Sequence, residues 1–274
     1  MFDPGKVNKL VVSNDRLRMR YLKTLEISKF ISTYSGKFDI PNVNNKPYWN
    51  RKFKERTTLD EQGAITRNKI KLVANNIGKN DKKILDVGVG LGYIEQQLSK
   101  SGNDYKFYGV DISSDSISYM NNNFKGIFLE ADLLNLNRLF KPNFFDVILA
   151  IEVLEHISPS KLFKLYADIH KLLKTNGKFI ITVPINEGLE KMRTNPSAHV
   201  RDYSSSIIKK ELELNGFTIE NTFELFAFSK FYPMKQLLSK IFKNRWKPNS
   251  LIVIAAKAGN KSKKKAATYH NHRF

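Results

Sequence analysis

The stretch Ile84-Leu85-Asp86-Val87-Gly88-Val89-Gly90-Leu91-Gly92-Tyr93 decides the fold. Residues 84–87 have the length and apolar character of a buried strand. Glycines then alternate at 88, 90 and 92, and a helical pattern follows. Glycine lets a backbone turn sharply and come close to a ligand. A dinucleotide loop, G-x-G-x-x-G, would need its third glycine at position 93, which is Tyr93. The alternation, with Asp86 two residues ahead of it, departs from a diphosphate cradle. It suits a nucleoside ligand without a diphosphate. The next strand-like run ends in Tyr108-Gly109-Val110-Asp111. An acid at that strand end can hold two ribose hydroxyls through its two oxygens.

Outward from this stretch, strand and helix patterns alternate, which predicts an α/β sheet. Strand-like runs cover 83–87, 106–110, 126–130, 146–150, 178–183, 217–222 and 251–256. A helix is predicted over 161–175, with Leu162, Tyr166, Ile169 and Leu173 on one face. Ser160 would cap its start, and Asn176-Gly177 would supply a left-handed stop. Another helix should start at 204–206 and end at Asn215-Gly216. Residues 1–80 read as a helical cover, with helices over 15–34 and 60–77 and a Gly/Pro/Asn-rich loop over 35–46. Residues 81–258 form the main domain, with a basic aromatic insert at 223–250. Residues 259–274 lack periodicity and read as a disordered basic tail.

The chain has 274 residues, 41% of them apolar, enough for one large α/β domain with additions. It has no cysteine, which excludes disulfides, thiolate metal sites, iron–sulfur clusters and cysteine nucleophiles. That fits a reducing compartment, and a cytoplasmic location is expected. No apolar run follows Met1-Phe2-Asp3-Pro4, so no signal peptide is expected. No run approaches the roughly 20 residues a membrane span needs.

The net charge of +20 is unevenly spread. Residues 61–222 carry 21 Lys/Arg against 19 Asp/Glu, residues 1–60 carry 13 against 6, residues 223–250 carry 6 against 1, and residues 251–274 carry 6 against none. The excess therefore sits in the appendages. It admits two readings: a functional basic surface for nucleic acid, anionic lipid or acidic metabolites, or a compositional bias in a chain with 35 Lys and 26 Asn.

Over about residues 48–222 the chain resembles the class I S-adenosylmethionine-dependent methyltransferases. The motifs occur in family order. Asp86-x-Gly88-x-Gly90-x-Gly92 matches the cofactor loop. Asp111 matches the ribose acid, with Ile112 beside the adenine. Ala131-Asp132-Leu133 matches the segment whose acid contacts the adenine amino group, and Phe145-Asp146-Val147-Ile148 matches strand four. The segment from Leu172 through Gly177 to Pro184 matches the helix, turn and strand that follow. Ile151 is added as a cofactor contact. The resemblance implies a Rossmann-like, seven-stranded, mostly parallel sheet flanked by helices, with the last strand antiparallel. The nearest branch is that of O-methyltransferases such as the ubiquinone biosynthesis enzymes. The sulfonium of that cofactor activates the methyl group, so the protein mainly supplies alignment and, where needed, a base.

After strand four comes Glu152-Val153-Leu154-Glu155-His156, at the sheet edge where ligands bind in such folds. His199 follows later. Glu155, His156 and His199 are the candidate catalytic residues, with a histidine as general base. Glu152, Glu155, His156 and His199 together could hold a divalent metal such as Mg. A similar set serves as the metal site of small-RNA 2′-O-methyltransferases, although Glu-His at this position is also widespread in members not thought to bind metal. Tyr48-Trp49-x-Arg51 resembles segments that close over the cofactor, and Arg51 could reach its carboxylate. No Asn/Asp-Pro-Pro-aromatic segment follows strand four, unlike enzymes that methylate base amino groups. Oxygen acceptors are therefore favoured.

In the insert, Met234, Leu237, Leu238, Ile241 and Trp246 form one helical face, with Lys235, Lys240, Lys243 and Lys247 largely off it. That helix either packs on its own sheet or meets a membrane surface or a hydrophobic acceptor. The function expected is O-methylation of a small-molecule, lipid-linked or saccharide hydroxyl. Peripheral membrane or RNA contact would run through the basic appendages. Two alternatives stand beside it: an RNA 2′-O-methyltransferase using the Glu/Glu/His/His site, and an inactive cofactor-binding scaffold.

Overall fold

The computed structural model describes residues 42–55, 58, 61–187, 198–228, 232–241 and 246–257. The helix expected over 15–34 and the tail over 259–274 lie outside the described residues. Among the described residues two helices precede the sheet, α1 (Lys46–Lys54) and α2 (Ala64–Asn75). The alternating part runs β1 (Lys83–Val87), α3 (Tyr93–Ser99), β2 (Lys106–Asp111), α4 (Ser114–Asn123), β3 (Gly126–Glu130), α5 (Leu136–Leu139), β4 (Phe145–Ile151), α6 (Pro159–Leu172), β5 (Leu173–Pro184), α7 (Ser205–Leu214), β6 (Phe217–Leu225), α8 (Tyr232–Ile241) and β7 (Ser250–Lys257).

The strands form one sheet of seven in the order β3-β2-β1-β4-β5-β7-β6. β7 lies antiparallel between β5 and β6, and the other neighbours pair in parallel. This is the Rossmann-like, mostly parallel sheet the sequence led us to expect. The central strands are covered on both faces, which explains their unbroken apolar runs. Leu85, Val87, Ile148 and Phe179 face α6 and α7, packing with Tyr166, Ile169, Ile208 and Leu212. Ile84, Val147, Leu149 and Ile180 face the other way, onto Ile70 and Val73 of α2, Ile94 of α3 and Met120 of α4. Each such side chain, once buried, adds roughly 1.5–3 kcal/mol.

Two helix boundaries differ from expectation. Ser158, not Ser160, is the N-cap of α6, because Pro159 occupies its first turn with a pre-set φ. The same helix stops at Leu172, and Leu173 is already extended and pairs with Phe145. Asn176, at φ 62°, and Gly177 form an irregularity inside β5 instead of a helix stop. A Cβ at Gly177 would lie 2.9 Å from the carbonyl oxygen of Lys174.

A buried ion pair fixes the strap before α7. Arg201 meets Glu211 of α7, and the Tyr166 hydroxyl of α6 donates to the second Glu211 oxygen at 3.1 Å. Arg201 also stacks over Tyr203 at 4.7 Å. The pair holds residues 198–203 against two helices of the core. Removing one partner leaves a charge buried alone, so Glu211→Ala should lose about 3–5 kcal/mol of stability in urea unfolding.

Between β1 and α3 the backbone takes positive φ at Gly88 (77°), Gly90 (54°) and Gly92 (64°). A Cβ at Gly88 would lie 2.6 Å from Val153, and one at Gly92 would lie 2.7 Å from Met120. Beneath this loop Asp86 and Glu95 are buried, and neither Glu95 oxygen has a hydrogen-bond partner. Burial pushes the Glu95 carboxyl up from 4.5 to about 7. Burial, then the charges of Glu95 and Asp111, pushes Asp86 well above its ordinary value. A carboxyl raised on folding stabilises the protein fully below its unfolded value and loses that contribution as pH climbs through its folded value. Glu95→Gln removes the loss. Its melting temperature relative to the parent should therefore be about 5 °C higher at pH 8 than at pH 5, as read by circular dichroism. An offset that does not vary with pH would contradict this.

Candidate functional site

A cavity of about 390 Å³ opens at the C-terminal ends of β1, β2 and β4. Its volume lies within the roughly 300–1,000 Å³ of small-molecule clefts. Gly88 and Gly90 form one wall, and Asp111, Ile112, Asp132, Leu133 and Ile151 complete the sheet side. The parallel register aligns Asp86 with Gly109 and Val87 with Val110, so the glycine loop and Asp111 emerge side by side. Asp111 is held in place at both ends. Its Oδ2 accepts from the Gly90 amide at 3.0 Å, and its Oδ1 accepts from Ser113 at 2.8 Å. Asp132 caps the short 3₁₀ turn Leu133–Asn135 through its Oδ1. Glycine backbone and two acids thus line the cavity side by side.

Not every expected cofactor contact reaches the cavity. Asp86 is buried below the loop and Gly92 packs on Met120, so both shape the wall from behind. Arg51 is exposed on α1, with its guanidinium 5.5 Å from the Tyr48 ring, and does not line the cavity. Its neighbours Trp49 and Phe53 do. They lie on the inner side of α1, and Arg51 lies on the outer.

The second correction concerns Glu152. It lines the cavity at φ 55°, a left-handed conformation uncommon for a side chain with a Cβ. Its Oε1 lies 2.9 Å from Lys69 Nζ and accepts from the Thr182 hydroxyl at 2.8 Å. Burial opposes its ionisation, but the Lys69 charge and hydrogen bond and the Thr182 hydroxyl hold its carboxyl below the usual value. A carboxylate so engaged is committed to Lys69, and it stands outside the potential ligand group. That group contains Glu155, His156 and His199, whose ligand atoms lie within 4.8 Å of one another.

His156 lines the cavity and meets the Trp49 and His199 rings edge to face, at 4.7 and 5.0 Å. Its Nδ1 contacts the Ala198 carbonyl at 3.2 Å. A carbonyl only accepts, so Nδ1 donates to Ala198, and the other ring nitrogen, Nε2, lies 4.0 Å from Oε1 of the buried Glu155. His199 Nδ1 lies 2.7 Å from Glu187 Oε2, the same arrangement one residue further from the cavity. Glu155 is fully buried, and neither of its oxygens has a hydrogen-bond partner. Burial, then the charge of Glu152, pushes its carboxyl well above the ordinary value.

Two polar residues of the site were not anticipated. Lys69 interrupts the buried face of α2, beside Ile70 and ahead of Val73 and Ala74. A lysine on an apolar stripe was a legible signal. Glu187 follows β5 at the same sheet edge, and an acid there was a second one.

A family model described as a methyltransferase domain matches residues 78–255, well over half of the chain. An uncharacterised protein of Methanocaldococcus jannaschii, MJ0638, is 30% identical over 183 residues, 61% of this chain and 76% of that one. Phosphoethanolamine N-methyltransferase of Plasmodium falciparum is 31% identical over 120 residues, covering 41% of this chain and 43% of that one. Ubiquinone biosynthesis O-methyltransferase of Pasteurella multocida is 33% identical over 114 residues, covering 36% and 45%. The chain thus spans less than half the length of these last two. A solved methyltransferase of Archaeoglobus fulgidus superposes with a TM-score of 0.58 at 19% identity, over 77% of this chain and 99% of that one. That likeness speaks to the fold. With the family model over β1 to β7 and the cradle between Gly88 and Asp132, the chain belongs to the methyltransferase-domain family and is an S-adenosylmethionine-dependent methyltransferase.

Proposed function

We propose that the acceptor is a hydroxyl of a small, lipid-linked or saccharide molecule, methylated on oxygen as in the ubiquinone-biosynthesis branch. The supporting observation is His156 in the cavity wall, with its Nδ1 tied to a backbone carbonyl and its Nε2 4.0 Å from the buried Glu155 carboxyl, which sets an imidazole and an acid side by side. A hydroxyl is a weak nucleophile until its proton has somewhere to go, and an imidazole is matched to that task near neutral pH.

When bound, S-adenosylmethionine supplies a methyl group already activated by its sulfonium. Asp111 would hold the ribose hydroxyls, Ile112 and Leu133 would flank the adenine, and Asp132 would receive its amino group. Gly88, Gly90 and Ile151 would give the close wall for the adenosyl group. Trp49 packs on His156 and fixes the imidazole plane. Ala198 and the Arg201–Glu211 pair hold the opposite side of that ring in place. His199 and Glu187 stand behind it as support.

A second reading is favoured by Glu155, a fully buried carboxyl with two unpartnered oxygens. A divalent cation on Glu155, His156 and His199 would satisfy that carboxyl and lower the pKa of a hydroxyl bound to it. The histidine Nδ1 contacts to Ala198 and Glu187 match the outer partners that ligating imidazoles use. The RNA form of this reading also needs a basic surface, and residues 1–41 and 258–274, which carry much of the charge, lie outside the described residues.

Charged hydrogen bonds are worth about 1.5–3 kcal/mol each, so Asp111→Ala should weaken S-adenosylmethionine binding by more than about tenfold in calorimetry. Unchanged affinity would remove Asp111 from the cofactor site. His156→Ala should lower kcat by about 10²–10⁴-fold while cofactor affinity holds. An equal fall in both would make His156 a pocket residue. Chelation separates the two readings. Turnover that falls more than about tenfold with chelator and returns with Mg or Mn supports the cation, and turnover indifferent to chelator overturns it.

A further inference from the structure

α8 is inside out. Tyr232, Lys235 and Ser239 follow one another at three- and four-residue steps, so they share a face. That face is the inner one: Tyr232 and Ser239 are buried and Lys235 is half-buried, with its ammonium 5.8 Å from the Phe228 ring. Met234 and Leu237 lie on the opposite face, 54% and 60% exposed. They are the two most exposed large apolar side chains among the described residues. A helix that packed on its own core would turn methionine and leucine inward and serine and lysine outward. The sequence pattern alone left that packing open, and the observed burial runs against it.

The position of the helix says what it could meet. The Tyr232 hydroxyl accepts from Asn68 of α2 at 3.2 Å, and Thr66, Lys69 and Ile70 of the same helix line the cavity. An aromatic base of Phe226, Phe228 and Trp246 supports α8 from beneath, with Phe226 and Phe228 stacked at 5.6 Å and Phe228 edge to face with Trp246 at 5.5 Å. The segment around it, residues 223–250, carries six Lys/Arg against one acid, and Lys247 is exposed. No helix among the described residues is long and apolar enough to cross a membrane.

We propose that α8 docks the enzyme onto the surface of an anionic lipid bilayer. Met234 and Leu237 enter the interface, and the exposed Lys247, in a segment with six Lys/Arg against one acid, meets the headgroups. An RNA partner would use the lysines but gives no reason to expose an aliphatic pair. A docked α8 would also bring α2, and the cavity wall it forms, close to the lipid surface. The proposal is independent of the acceptor chemistry, because vesicle binding is read without turnover.

The test uses the full chain and sedimentation with vesicles of phosphatidylcholine alone or mixed with phosphatidylglycerol. Mixed vesicles should bind at least about tenfold more tightly, and added salt should weaken that binding. The double variant Met234→Glu/Leu237→Glu should lose more than about tenfold of this affinity, and Met234→Trp/Leu237→Trp should gain. S-adenosylmethionine affinity, measured on the same samples, should be unchanged in both, which shows that the fold is kept. A parent chain that ignores mixed vesicles overturns the proposal. So does a glutamate variant that binds them as well as the parent does. Light scattering that shows a parent dimer, split by the glutamates and indifferent to vesicles, would assign the face to a second copy and overturn the lipid assignment.

Discussion

The constraint on which this molecule depends is the lack of room between β1 and α3. The chain must turn there within a few residues, at positive φ, against Val153 on one side and Met120 on the other. Only glycine meets both demands. The same bareness leaves a concave wall of backbone at the mouth of the sheet. Parallel pairing with β2 then brings Asp111 beside that wall, and the Gly90 amide binds it there. The turn that lets the chain fold is thus also a wall of the cavity. The two buried acids beneath it, Asp86 and Glu95, are pushed toward their neutral forms by that burial.

A second layer is built from long-range contacts. The site beyond the cofactor wall joins the end of β4 to the strap before α7, some forty residues later. Val200 donates its amide to the Glu155 carbonyl at 2.8 Å, and Ala198 receives the imidazole of His156. Neither contact would last if the strap were loose. The buried Arg201–Glu211 pair, braced by Tyr166, is what prevents that. A buried ion pair is weak evidence for stability. Here its geometric consequence is the more important one, since it holds a loop to the helices that flank it.

How much of this could be read from the chain depends on the range of the interaction concerned. The strands were legible because their apolar runs are local: 83–87 and 126–130 match residue for residue, and the others differ at their ends. The turn at Gly88 to Gly92 and the strand end at Asp111 were legible because turn chemistry and strand ends are also local. The boundaries of α6 were misplaced because Pro159 and the Leu173–Phe145 pairing outweighed the Ser160 and Asn176-Gly177 signals. Glu152 was placed among the metal ligands because spacing alone cannot show a lysine arriving from α2. Arg51 was assigned inward because helical phase without a known neighbour does not say which side of α1 is covered. The burial of Ser239 beneath the exposure of Leu237 runs against hydropathy, and no pattern rule would have predicted it.

The order of the strands has a consequence for how the protein is made. β7 follows the other six described strands along the chain, yet it lies inside the sheet, with β5 on one side and β6 on the other. Until residues 250–257 leave the ribosome, β5 presents an open edge of unpaired backbone and β6 has no neighbour at all. The nascent molecule is therefore a five-stranded sheet open at β5, and that edge closes only when β7 slots between β5 and β6.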